Sequence, residues 1–186
     1  MDLVEPYHDR VREAISSRVP EPRRRRYHER LADVLLAGKH GDLDPLAAIR
    51  HLEAAGEVHH AAALAMQAAP RAEEKLAFEL AAALWDAALR LGEHRDDERR
   101  ALLVRRAEAL SHAGRGPAAA ESFLAAADGA SAETGFQCRR RAAHELLVSG
   151  HVHEGLALTS QALAELGEHL PTGTSAAKRQ LVWAWI

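Results

Sequence analysis

The apolar and small residues of this chain recur at helical spacing on both sides of certain glycines. Around Gly114 they stand seven and four residues before the glycine and five, nine and twelve after it: Ala107, Leu110, Ala119, Phe123 and Ala126. Residues three and four apart share one face of a helix, and glycine readily adopts the left-handed conformation that ends a helix. The pattern therefore predicts two antiparallel helices with a tight turn at Gly114. Ala107 and Ala119 would let the backbones approach closely, and Leu110 and Phe123 would fill the seam.

The same offsets recur around two further glycines. Around Gly150 they hold Ala143, Leu146, Gly155, Thr159 and Ala162, and around Gly56, more weakly, Ile49, Leu52, Ala61, Ala65 and Ala68. Gly114 and Gly150 are 36 residues apart, a period typical of helical repeats. These small-residue and aromatic positions resemble tetratricopeptide repeats. The resemblance implies an all-α fold, an antiparallel helical-repeat array over residues 44–170.

The segment before the repeats is predicted to hold two helices within residues 1–40. The first covers residues 7–19, where apolar residues stand four apart. The second carries one apolar stripe: Tyr27, Leu31, Val34 and Leu35. At the other end, residues 174–186 finish on an incomplete apolar helix.

Caps and breakers set the expected helix boundaries between these ends. Asp44 and Pro45 are predicted to cap and begin one helix, and Ser131 to cap another. The helix that starts near Val58 is expected to run toward Pro70, and this proline must either start a new helix or kink that one.

A further helix is predicted over residues 72–91. It is apolar on most faces and so should be buried between neighbours. Gly92 should end it, and Asp96 or Asp97 should cap the helix that follows.

The motif YHDRVRE, from Tyr7 to Glu13, resembles a segment of STAND-type ATPases. The order of segments after it is also similar: a basic helix, LDPLAAIRHLEAAGE, KLAFELAAALWDAAL, then the repeats. These bacterial signalling ATPases include fusions to serine/threonine kinases and to DNA-binding domains. The resemblance implies that residues 1–40 follow a nucleotide-binding domain absent from this chain. It further implies a non-catalytic interaction and sensor module whose partner is a protein or peptide, such as the parent's own ATPase or kinase domains.

Composition excludes several other classes. The formal net charge of −3 gives no support to bulk attraction to nucleic acid or membranes. A single cysteine excludes an internal disulfide. No secretion signal and no apolar run of the ~20 residues that a membrane helix needs are present. The expected protein is soluble and cytoplasmic, with no membrane partner.

The chemical motifs predict no catalytic residue, no cofactor and no metal. There is no GxxxxGK[ST] phosphate loop and no kinase signature. His144 and Glu145 begin like the zinc motif HExxH, but Val148 stands in its last position. Cys138 precedes three arginines, yet no base or second cysteine lies at a recognisable spacing, which favours an ordinary helix cysteine.

The basic run Arg23–Arg26 leaves an alternative function open. Such a run could contact DNA, as part of a transcriptional regulator. The competing interpretation is a solvated helix face, with Glu21, Glu29 and Asp33 as local partners. Four consecutive helical residues also spread around the axis, so nucleic acid is not the expected partner.

A partner-binding groove is predicted on the first helix of each pair. Glu108 and His112 are four apart on one helix, and Arg140 and His144, also four apart, are assigned to the equivalent offsets in the next repeat. Arg50 and Glu53 fall near this stripe in the first unit. A groove of mixed charge suits a peptide or a neighbouring domain. The alternative interpretation is that these are ordinary solvated helix faces.

Overall fold

The computed structural model describes residues 18–37, 44–165 and 167–169. Over those ranges the chain forms eight helices and no strand, so the predicted all-α class is confirmed. The helices are α1 (Glu21–Ala37), α2 (Pro45–Ala55), α3 (Val58–Glu74), α4 (Phe78–Leu91), α5 (Asp96–His112), α6 (Gly116–Ala127), α7 (Ala132–Val148) and α8 (Val152–Glu165). The motif Tyr7–Glu13, nearly all of the helix predicted at 7–19, and the helix predicted at 174–186 lie outside the described residues.

The chain divides into two compact units, one reaching to His94 and one beginning at Arg95. The first holds α1–α4 and the second α5–α8. Within each unit every helix packs on the helix that follows it in the chain. The core of the second unit includes Ala107, Ala120, Phe123 and Ala142. Packing between sequence neighbours means that each unit is built from consecutive helix hairpins.

The turn predicted at Gly114 is confirmed. Gly114 has a φ of +72°. Its amide donates to the Ser111 carbonyl at 2.9 Å, and the Arg115 amide donates to the Leu110 carbonyl at 2.8 Å. These two bonds define the Schellman motif, which satisfies the last carbonyls of a helix. The same pair of bonds forms at Gly150.

The same motif forms at Leu76, where no glycine is present. Leu76 has a φ of +58°. Its amide donates to the Glu73 carbonyl, and the Ala77 amide to the Ala72 carbonyl, both at 2.9 Å. This turn separates α3 from α4. The single helix predicted over residues 72–91 is therefore wrong.

Of the two alternatives predicted at Pro70, a new helix or a kink, the new helix does not form, because α3 continues through that proline to Glu74. A proline inside a helix removes one amide donor and strains one turn. Here α3 is buried on both sides of that turn, at Ala65 and Ala69 before the proline and at Ala72 after it. Packing thus outweighs the local preference to stop.

Counting from Leu76 shows that α3–α4 has the register of the later hairpins. The positions seven and four residues before Leu76 and five, nine and twelve after it are all buried: Ala69, Ala72, Ala81, Trp85 and Ala88. Leu76 stands 38 residues before Gly114. Around Gly114 four of the five are buried and Leu110 is half-buried. Around Gly150 the two half-buried positions are Leu146 and Thr159. The hairpins α3–α4, α5–α6 and α7–α8 therefore share one pattern of turn and burial.

The weaker pattern noted around Gly56 lies on the α2–α3 hairpin. Gly56 has a φ of +89°, and four of its five offset residues are buried: Ile49, Leu52, Ala61 and Ala65. Ala68 is only half-buried, and its neighbour Ala69 takes the buried place. Because α3 also begins the Leu76 hairpin, its second half faces α4.

The small residue expected five positions after each turn is required by packing at Gly155. A Cβ there would lie 2.7 Å from the Leu147 Cγ and 3.1 Å from the Leu147 amide nitrogen. Both distances are shorter than ordinary van der Waals contact. The helices α7 and α8 therefore pack so closely at this point that a residue larger than glycine does not fit.

Most predicted helix caps are confirmed. The Asp44 carboxylate accepts from the Ala47 amide at 3.1 Å, and the Ser131 hydroxyl accepts from the Thr134 amide at 3.3 Å. The cap predicted at Asp96 or Asp97 is wrong, since these residues occupy the first turn of α5. There their negative charges interact favourably with the positive end of the helix dipole.

Candidate partner-binding site

The six predicted groove residues are divided between the two units. Arg50 and Glu53 lie on α2 in the first unit, whereas the other four lie in the second: Glu108 and His112 on α5, and Arg140 and His144 on α7.

In the first unit, Glu53 is bound by an arginine that the sequence pattern does not reveal. The Arg90 guanidinium of α4 donates two hydrogen bonds to the Glu53 carboxylate, at 2.5 and 3.0 Å. The hydrogen bond with Arg90 lowers the pKa of Glu53, and the same bond raises that of Arg90. Glu53 is half-buried and links α2 to α4, while Arg50 is exposed. Of the two predicted residues, only Arg50 presents its charge outward.

In the second unit, Glu108 is likewise held by an unpredicted arginine. An Arg141 guanidinium nitrogen lies 3.0 Å from a Glu108 carboxylate oxygen, which joins α5 to α7. The same guanidinium lies over the Phe123 ring of α6, 4.2 Å from its centroid. A cation above an aromatic face is attracted by the ring electrons. Arg141 thus ties three helices of the unit together.

A second link joins α5 to α7 farther along both helices. The Ser111 hydroxyl donates to the Glu145 carboxylate at 2.8 Å. Ser111 follows Glu108 by three residues and Glu145 follows Arg141 by four, so both links advance one turn in the same direction. The two helices therefore run parallel, side by side, and present one continuous face.

We call this face the α5–α7 surface and define it by Glu108, His112, Arg140, Arg141 and His144. His112, Arg140 and His144 are exposed, whereas Glu108 and Arg141 are half-buried by their ion pair. The Arg140 Nε donates to the Gln137 side-chain carbonyl at 3.1 Å. The surface carries two guanidinium groups and one carboxylate, and the carboxylate is paired with Arg141.

The predicted equivalence of Arg140 and His144 to Glu108 and His112 is wrong by about one helical turn. Glu108 and His144 each stand six residues before their turn glycine, as Arg50 does before Gly56. Arg140 stands ten residues before Gly150 and corresponds to Val104. Arg140 is thus displaced by about one helical turn from the position that Glu108 holds.

A separate cavity of about 430 Å³ lies between the start of α5 and the end of α6. Its walls include Asp96, Arg99, Arg100 and Asp128. An Arg100 guanidinium nitrogen donates to the Gly129 carbonyl at 3.0 Å. Two arginines, two aspartates and the apolar Leu103 and Ala125 line the cavity, and none of the lining residues is a nucleophile beside a base. It offers polar contacts without a catalytic arrangement.

The basic run on α1 is largely engaged by its own helix. Glu21 accepts hydrogen bonds from Arg24 and, at 3.0 Å, from the Arg25 Nε. The Arg23 guanidinium lies over the Tyr27 ring. All four arginines, Arg23–Arg26, are exposed. This arrangement matches a solvated helix face with local partners.

The remaining candidate chemistry gives no site in the described part of the chain. No group of three or more His, Cys, Asp or Glu side chains within residues 18–37, 44–165 and 167–169 could hold a metal ion. Cys138 is buried in α7, and burial raises the pKa of its thiol although Arg141, Arg100 and Arg139 act to lower it. A neutral buried thiol is a poor nucleophile. None of the helices described has the length and apolar character to cross a bilayer.

Comparison with protein-family models, curated proteins and solved structures gives no match to this chain.

Proposed function

We propose that this chain is a non-catalytic, tetratricopeptide-like helical-repeat module that binds a protein or peptide. The observation that carries the proposal is the recurrence of one hairpin. The turns at Leu76, Gly114 and Gly150 share their hydrogen bonds and buried offsets at spacings of 38 and 36 residues. Repeats of one hairpin typically stack and present the same helix of each pair on a common binding face.

The α5–α7 surface is the docking site that we propose on this module. Its two links hold α5 and α7 parallel, so its exposed side chains are arranged on a preorganised support. Arg140 and Arg141 supply positive charge, Glu108 supplies negative charge, and His112 and His144 supply ring nitrogens. Charges of both signs suit a peptide with charges of both kinds, whereas a nucleic-acid backbone requires a surface of one sign.

We further propose that the module serves a signalling ATPase or a kinase-associated regulator in the cytoplasm. The support is the resemblance of the motif Tyr7–Glu13 and of the order of segments that follows it. The nucleotide chemistry would then reside in the parent's ATPase domain, and this module would sense or relay a protein contact.

A peptide-display selection on the full chain tests the docking site. Peptides enriched on the wild type are measured by calorimetry against Arg140→Glu combined with His144→Ala. Both residues are exposed, so helicity and melting should be retained. Binding should weaken at least roughly tenfold, because a favourable charge becomes a repulsive one.

The matched control carries the same changes in the first unit, Arg71→Glu with His60→Ala, where both residues are also exposed. It should bind the selected peptides as the wild type does. Equal binding by the α5–α7 double variant would refute the docking site. If substitution of Arg23–Arg26 abolished binding instead, the basic helix α1 would be the docking surface. A gel shift with duplex DNA over a range of salt concentrations then tests whether α1 binds DNA. DNA binding would show an affinity that falls steeply as the salt concentration rises.

A further inference from the structure

Two histidines face each other where α1 packs on α2. The Nδ1 atoms of His28 and His51 are 2.9 Å apart, and their ring centroids are 5.1 Å apart with the planes tilted by 33°. A hydrogen bond between two ring nitrogens needs one to donate and the other to accept. At least one ring must therefore be neutral while the contact exists.

Among the residues that the structure describes, no negative charge near this pair offsets the repulsion that would arise if both rings were protonated. One turn before His28, on the same face of α1, lie Arg24 and Arg25, both bonded to Glu21. One turn to either side of His51, α2 carries only alanines, and the adjacent Arg50 adds positive charge.

The carboxylates nearby on the packed helices are already engaged or face away. Glu53 on α2 is held by Arg90 of α4. On α3, which packs against α2, the second and third residues are His59 and His60, and both are exposed. On α1, Glu29 follows His28 directly and is exposed, on another side of the helix.

The direction of the titration follows from this environment. Burial, then the charge of His28 and then that of Arg50, lower the pKa of His51 below its usual value. The packed state therefore binds fewer protons than the separated state as the pH falls past that usual value of about 6.5. The histidine contact is therefore stable above the usual histidine pKa. It loses this stability as the pH falls from that value through the lowered pKa of His51.

The apolar contribution that holds α1 in place is small. Ala32 is the fully buried residue of α1, Leu35 and Leu36 are half-buried, and Tyr27, Leu31 and Val34 are exposed. Burial of one alanine and of parts of two leucines is a modest apolar contribution for a helix of this length. A repulsion between two protonated rings would act against this modest packing.

We propose that the His28–His51 pair is a pH-sensitive latch, which holds α1 on α2 at neutral pH and releases it under mildly acidic conditions. The latch would free the arginine-bearing helix without unfolding α2–α4. It rests on the helix contact within the first unit and is independent of the proposed partner site.

Hydrogen exchange with mass-spectrometric detection tests the latch on the full chain. Exchange is followed at about pH 7.5 and about pH 5.5 in the presence of a metal chelator and corrected for the intrinsic rate at each pH. Protection of residues 21–37 should fall at least roughly threefold at the lower pH, while residues 58–91 and 96–165 keep theirs.

Asparagine variants separate the pair from the other histidines of the chain. His51→Asn keeps a hydrogen-bonding group near the Nδ1 position but cannot take up a proton, so protection of residues 21–37 should become independent of pH. His28→Asn should do the same. The exposed His59→Asn is the matched control and should retain the wild-type response.

Three results would overturn the latch. One is equal protection of residues 21–37 at both pH values in the wild type. Another is a wild-type acid response in both His28→Asn and His51→Asn. The third is a pH response seen only when zinc replaces the chelator, since the pair would then act as metal ligands and not as a proton sensor.

Discussion

Replacing Leu76 by glycine should stabilise the α3–α4 hairpin. Leu76 has a φ of +58° and its side chain is 72% exposed, so it carries the strain of a left-handed residue with little compensating burial. That conformation costs an L-residue about 1–2 kcal/mol. Glycine removes this cost but gains backbone freedom in the unfolded chain, which destabilises by about 0.4–1 kcal/mol. The net gain in the free energy of unfolding should be about 0.5–1 kcal/mol.

The assay combines urea unfolding, followed by circular dichroism, with hydrogen exchange of residues 58–91. Exchange is needed because the chain has two compact units, and only the first should respond. Leu76→Gly should raise the urea midpoint of that unit and slow the exchange of the hairpin amides.

Two control variants separate backbone strain from loss of the exposed leucine. Leu76→Ala removes the side chain but keeps a Cβ in the left-handed conformation, so its stability should stay close to that of the wild type. Gly114→Leu makes the reverse change in the second unit. Apart from the two neighbouring residues, nothing in the described part of the chain lies within 4 Å of a Cβ built at the exposed Gly114, so backbone strain is expected to cause the loss of about 0.5–1 kcal/mol. A gain with Leu76→Ala equal to that with Leu76→Gly would refute the strain argument, as would no gain with glycine.

Two further predictions concern packing and nucleotide binding. Ala119→Leu should cost on the order of 1–3 kcal/mol, because Ala119 is completely buried and a leucine there overpacks the core. Its control is the exposed Ala101→Leu, and an unchanged thermal midpoint for Ala119→Leu would mean that the site tolerates expansion. Calorimetric titration with ATP and magnesium should give no saturable signal, since the chain has no phosphate-binding loop motif; micromolar binding would contradict this.

The helix positions of this protein follow largely from local sequence. The spacing around Gly114 and Gly150 predicts both the left-handed turns and the buried residues, because a face of a helix is defined within two turns. Asp44 and Ser131 cap their helices with bonds that span three residues. Such features need no information from distant parts of the chain.

The contacts of the candidate site could not be read in this way. Glu53 pairs with an arginine 37 residues away, and Ser111 with a glutamate 34 residues away. Each of these polar residues also fits a solvated helix face, so only the packing of neighbouring helices selects its partner. The contact between His28 and His51 arises for the same reason.

The turn at Leu76 shows where local preference and tertiary structure disagree. By sequence alone, Pro70 favours a helix end and Leu76 favours a continuous helix. The structure places the turn at Leu76 because this choice buries Ala69, Ala72, Ala81, Trp85 and Ala88. Close packing of five side chains outweighs about 1–2 kcal/mol of strain at one residue. The sequence alone thus determined which residues can be buried, and tertiary packing decided where the chain turns to bury them.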